Sequence, residues 1–191
     1  MLAQAAGFLV DTATGLFALA FLLRFLLQAV RAPARNPLSH FIIAVTDFAV
    51  RPARRVIPGL FGLDLATLVL AWVVEVLGLV LLLAVKGFGF GTLTAAVLGG
   101  LALLAAVRLA QLFLYTIMAA IVLHAVLSWV NPHSPAAPLL DSLTRPLLRP
   151  LRRLVPPIAN VDLSPLLALI GCQLLLTVPL AWAEAALTRL L

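Results

Sequence analysis

Glu75 stands eleven residues beyond Asp64 in a long apolar run, and Gln173 stands eleven beyond Asp162 in another. At the rise of an α-helix, eleven residues cover about 16 Å, which puts both polar groups near the middle of a bilayer. A carboxylate at that depth is a candidate carrier of a proton or an ion, and two polar groups at one depth are placed to face each other. Arg24, seven residues before Arg31, reaches roughly 10 Å into the same core. It is placed either to snorkel to the surface or to pair with Glu75. The plainer alternative is that these groups are interhelical glue, with Glu75 protonated or bonded to Arg24. His124 invites a haem or metal reading. Bound metal needs several convergent ligands, and the other histidines, His40 and His133, fall in loops. A packed or hydrogen-bonded histidine is therefore expected at 124, and Cys172 reads as a small core residue.

The sequence offers no metal-ligand cluster, phosphate loop or nucleophile elbow. No catalytic residue, cofactor or metal is assigned, and the expectation is a protein that is not an enzyme. The chemistry on offer lies instead in two basic, proline-rich stretches. "RPLLRPLRRLVPPIANVDLSP", Arg145 to Pro165, holds four arginines and five prolines in twenty-one residues, and "RPARRVIPGLFGLDLAT" at Arg51 to Thr67 is nearly parallel to it. Arg51, Arg54, Arg55, Arg149, Arg152 and Arg153 are the candidate docking residues. Anionic lipid headgroups suit them, as does an acidic membrane or cytoplasmic protein.

The elements that must hold these residues follow from composition. The chain has 191 residues, 64% hydrophobic and only 10% charged, whereas a soluble domain needs roughly a quarter charged. This is the composition of an integral all-α membrane protein. The net charge of +6 does not point to nucleic acid, because nine of the thirteen basic residues cluster in two short loops beside apolar segments. Basic residues there are topology signals that favour the cytoplasmic side. The N-terminus "MLAQAAGFLVD" lacks a basic n-region, so its apolar segment is expected to persist as a span.

A span needs about 20 mostly apolar residues. Four spans are expected, at about 8–30, 64–85, 109–130 and 164–184. The region 86–107 is read as an interfacial or re-entrant connection, broken near Gly99-Gly100. A competing reading makes it a fifth span and puts the basic loops on opposite sides. The four-span reading keeps both loops in the cytoplasm and both termini outside it.

A shift of 98 residues lays 36–68 on 134–166 without a gap. Thr46 meets Thr144, Arg51, Arg54 and Arg55 meet Arg149, Arg152 and Arg153, and Asp64 meets Asp162. A shift of 100 lays Arg24 on His124. The chain thus contains two parallel repeats, 8–85 and 108–187, each a span, an amphipathic interfacial helix and a second span. In the second loop Leu139, Leu143 and Leu147 share a helical face, with Asp141 and Arg145 four apart on another. In the first, Phe41, Val45 and Phe48 form the apolar side. Such helices lie in the headgroup plane. Prolines end them, and Asp162, Ser164 and Pro165 start the next span. Asp64 and Thr67 take that part in the first repeat.

The R-P-x-R-R-x-x-P motif followed by a D-x-S-P turn, together with "LLRFLLQ" and "LSWVNP", resembles the YggT/YlmG family of bacterial and plastid membrane proteins. The resemblance covers both repeats, although Ala66-Thr67 stands where the second repeat has Ser164-Pro165. It implies a multi-pass protein of the bacterial inner membrane without enzymatic activity. The associated processes are cell division, nucleoid or plastid organisation, cytochrome-complex assembly and osmotic-stress tolerance. A scaffold or assembly factor docking through the basic motifs is the first functional reading. Ion or osmolyte permeation is the second, with homo-oligomerisation as a means of enclosing a pathway.

Overall fold

The computed structural model describes residues 1–33, 36–60, 62–88, 94–131, 134, 136–154 and 162–190, the side chains of Leu154 and Leu190 excepted. The order is α1 (Leu2–Ala29), α2 (Pro37–Val56), α3 (Leu65–Val85), α4 (Ala95–Val130), α5 (Ala137–Leu154), α6 (Ser164–Leu175), a π-helical turn (Leu176–Leu180) and α7 (Ala181–Leu190). No strand occurs among the described residues. The last three elements run on as one helix, and the widened turn falls at Pro179. A proline there removes an intrahelical hydrogen bond and crowds the preceding turn, and a π-bulge accommodates it.

Four helices are long and apolar enough to cross a membrane: Leu2–Ala29, Leu65–Val85, Ala95–Val130 and Ser164–Arg189. The chain is a multi-pass membrane protein. Helices α2 and α5 are the amphipathic elements between the paired spans. Asn36 starts α2 by accepting a hydrogen bond from the Ser39 amide at 2.8 Å, with Pro37 as the first helical residue. Ser134, its counterpart, precedes α5 and accepts from the Ala136 amide at 3.3 Å.

The third span differs from its expected bounds. Helix α4 has 36 residues and passes Gly99-Gly100 without a break, so 95–107 is its beginning rather than a separate interfacial or re-entrant piece. The physical reason is packing. Leu101, Leu104 and Ala105 are buried in one cluster with Leu79 of α3, and the Trp72 indole N–H donates to the Ala102 carbonyl at 2.9 Å. Further along, Ile117 and Ile121 cluster instead with Leu148 of α5 and Ala168 and Cys172 of α6. One helix therefore supplies a core to each repeat. At 1.5 Å per residue it is about 54 Å long, more than the ~30 Å hydrocarbon thickness.

Candidate functional site

Each repeat ties its amphipathic helix to its spans by the same two connections. The first joins the loop-side end of the leading span to a threonine. Arg24 of α1 donates through Nη1 to Thr46 Oγ1 at 2.7 Å, and the Thr46 hydroxyl donates to the Ile42 carbonyl. In the second repeat His124 Nδ1 lies 3.0 Å from Thr144 Oγ1, whose hydroxyl donates to the Leu140 carbonyl at 2.9 Å. A hydroxyl has one proton, and Thr144 gives it to Leu140. The hydrogen on the imidazole contact is thereby assigned to Nδ1, and His124 donates as Arg24 does. Both threonines are fully buried.

The second connection joins the arginine pair to the aspartate ahead of the next span. Arg54 Nε donates to Asp64 Oδ2 at 3.1 Å, and Arg152 Nε donates to Asp162 Oδ2 at 2.7 Å. The two aspartates then diverge. Asp162 also accepts from the amide of Ser164, the first residue of α6, at 2.9 Å, and Pro165 occupies the first turn. Asp64 makes no side-chain cap; there the Thr67 hydroxyl donates to the Asp64 carbonyl at 2.7 Å. Partial burial pushes the Asp162 carboxyl up, but hydrogen bonds from Ser164 and Arg152 outweigh it and hold the group below its ordinary value.

The docking residues accordingly divide. Arg54 and Arg152 are latches within the fold. Arg55, Arg149 and Arg153 are exposed and have no carboxylate within 4 Å among the described residues. Arg51 is exposed but lies 2.6 Å from Asp47. Asp47 also receives Arg24 at 2.8 Å. The Arg24 hydrogen bond is the main influence on Asp47; with Arg51 it overcomes partial burial and keeps the carboxyl below its ordinary range. Position 47 is Arg145 in the second repeat, so the charge pattern there is inverted. The Asp141–Arg145 spacing does not produce an ion pair.

Of the two placements open to Arg24, the pair with Glu75 is not formed, because Asp47 and Thr46 take the guanidinium. Glu75 is buried on α3 at 9% exposure. Gln173 points outward and does not meet it. Arg108 and Asp11 approach to 3.4 Å, and Gln111 donates to Glu184 at 2.8 Å. Asp47 and the two buried threonines were invisible as partners because nothing in local spacing joins them to a residue some twenty positions away. The repeat alignment of Thr46 with Thr144 was the available signal.

The amphipathic faces also differ from expectation in part. Phe41 and Phe48 point outward, at 65% and 69% exposure, and Phe48 meets Phe17 of α1 edge-on at a centroid distance of 6.4 Å. The face of α2 turned toward the protein is Ser39, Ile42, Thr46 and Val50. In α5 Leu139 and Leu143 are buried as expected, while Leu147 is exposed.

A family model described as CCB3/YggT matches residues 3–85 and again 103–183. The chain is similar to an uncharacterized protein of Pseudomonas aeruginosa, 38% identical over 173 residues, covering 90% of this chain and 86% of that one. It is 37% identical over 168 residues to an uncharacterized protein of Vibrio alginolyticus, covering 87% and 89%. It is 32% identical over 161 residues to the Escherichia coli K12 protein YggT, covering 84% and 81%. No solved structure matches. The twice-matched unit coincides with the twice-built pair of connections, and the chain belongs to the CCB3/YggT family.

Proposed function

We propose that the protein is a non-enzymatic scaffold or assembly factor of envelope processes, seated in the bacterial inner membrane with its basic loops in the cytoplasm. The observation that carries this reading is the division of each R-P-x-R-R motif. One arginine, Arg54 or Arg152, is spent on the fold, and the next, Arg55 or Arg153, is left exposed beside it. A motif needed only to orient the chain would work by aggregate charge and would not need one arginine fixed and its neighbour free. The free pair suits an acidic partner protein.

The test is co-purification from native membranes in mild detergent. It compares the wild type with Arg55→Ala/Arg153→Ala after equal insertion has been checked. A stoichiometric partner lost in the variant supports docking; the same partners retained at the same yield overturn it. A second reading, ion or osmolyte permeation, draws on one observation: the Glu75 carboxyl group lies buried within the span Leu65–Val85. Flux into liposomes that falls on Glu75→Gln supports it, and no flux from the wild type removes it.

A further inference from the structure

Helices α4, α5 and α6 enclose a cavity of about 950 Å³ against the end of α1, at the upper end of the ~300–1,000 Å³ typical of small-molecule sites. Its walls are apolar: Ile117, Leu143, Leu151, Cys172 and Val178 among them. Leu147, Leu174 and Val178 are exposed at its edge, so it opens sideways toward lipid. A second cavity of about 350 Å³ adjoins it through Val30 and Pro146, which line both, and Arg145 and Arg149 line this second space.

These two arginines are one helical turn apart on α5 and have no carboxylate within 4 Å among the described residues. In the first repeat the same two positions are Asp47 and Arg51, bonded to each other. The second repeat has therefore replaced an internally neutralised pair by two free guanidinium groups above an apolar shaft. A soluble anion has no use for the shaft, and an apolar helix has no group for the arginines. An amphiphile with a phosphate head satisfies both, since guanidinium forks match phosphate oxygens and basic pockets between spans hold anionic headgroups.

We infer that this groove binds one anionic glycerophospholipid, its phosphate on Arg145 and Arg149 and an acyl chain along the α4–α5–α6 wall. The site stands apart from the docking surface assigned to Arg55 and Arg153, and the two are tested by different variants.

The experiment measures thermal stability and binding of the purified full chain in detergent with added phosphatidylglycerol, or with phosphatidylcholine of the same acyl chains. Phosphatidylglycerol is expected to stabilise the protein and phosphatidylcholine is not. Arg145→Ala/Arg149→Ala should weaken phosphatidylglycerol binding about thirtyfold. Gly171 lines the apolar cavity, and a Cβ built on it meets nothing within 4 Å. Gly171→Leu should therefore fold normally and block the shaft, abolishing the effect with both arginines in place. Arg55→Ala/Arg153→Ala should leave it intact. Equal stabilisation by both lipids, equal loss in the Arg55/Arg153 variant, or an undiminished effect in Gly171→Leu would each overturn the site. So would a matching effect of inorganic phosphate alone, or tighter competition by an isoprenoid phosphate.

Discussion

Two aspartates at equivalent positions make the same bond in different surroundings, and the difference sets what each is worth. Asp64 is 5% exposed and Asp162 is 37% exposed. Arg54→Ala strands a buried carboxylate and should cost about 2 kcal/mol. Arg152→Ala removes a solvated pair, with an expected cost of at most about 1 kcal/mol. Thermal unfolding of both variants in one detergent checks the order. Acid acts on the same chemistry. Asp47 and Asp162 have carboxyls held below their unfolded value of 3.8, so the folded state binds fewer protons than the unfolded. Their stabilisation is complete above that value and disappears as pH falls through the lowered folded ones. Stability measured from pH 6 down to about 2.5 should drop at the acid end, and Asp47→Asn with Asp162→Asn should flatten that drop. An equally steep fall in the double variant would assign the acid sensitivity elsewhere.

The spans were legible as unbroken apolar runs and α5 as a leucine stripe with interleaved arginine, whereas α2, with its single leucine, turns Ser39, Ile42, Thr46 and Val50 inward rather than its aromatic face. The start of α4 was not legible. Gly99-Gly100 reads locally as a break, but Leu101, Leu104 and Ala105 have α3 to pack against, and tertiary burial overrides the weak helix propensity of glycine. In the candidate site, the arginine–aspartate latches lie ten residues apart on residues that the repeat alignment had already singled out. The Arg24–Asp47 and His124–Thr144 bonds depend on how a surface helix crosses a span, which periodicity does not encode. A close approach of α1 and α3 was equally hidden: a Cβ at Gly78 of α3 would lie 2.7 Å from Thr14 Oγ1 of α1. Gly78→Val should force these spans apart and destabilise by about 1–3 kcal/mol. Thr14→Gly in the same molecule should recover part of the loss, as touching residues couple. Independent, additive losses in unfolding measurements would contradict that contact.

At the scale of the molecule, four spans and two matched loops require both basic helices on one face of the membrane. Single cysteines placed by Arg55→Cys or Arg153→Cys, in a Cys172→Ala background, should both react with a membrane-impermeant maleimide in inverted vesicles and be silent in right-side-out ones. Reaction from opposite faces would demand an additional crossing. The repeats are alike in their bonds but not in their independence, because α4 gives its first half to the α3 core and its second half to α5 and α6. Among the described residues, cutting the chain between Phe88 and Thr94 leaves every one of those side-chain contacts in place. Two polypeptides encoded separately on either side of that cut should therefore complement each other in the bilayer, while the leading piece alone would present the bare flank of α3 to lipid and wait for a partner.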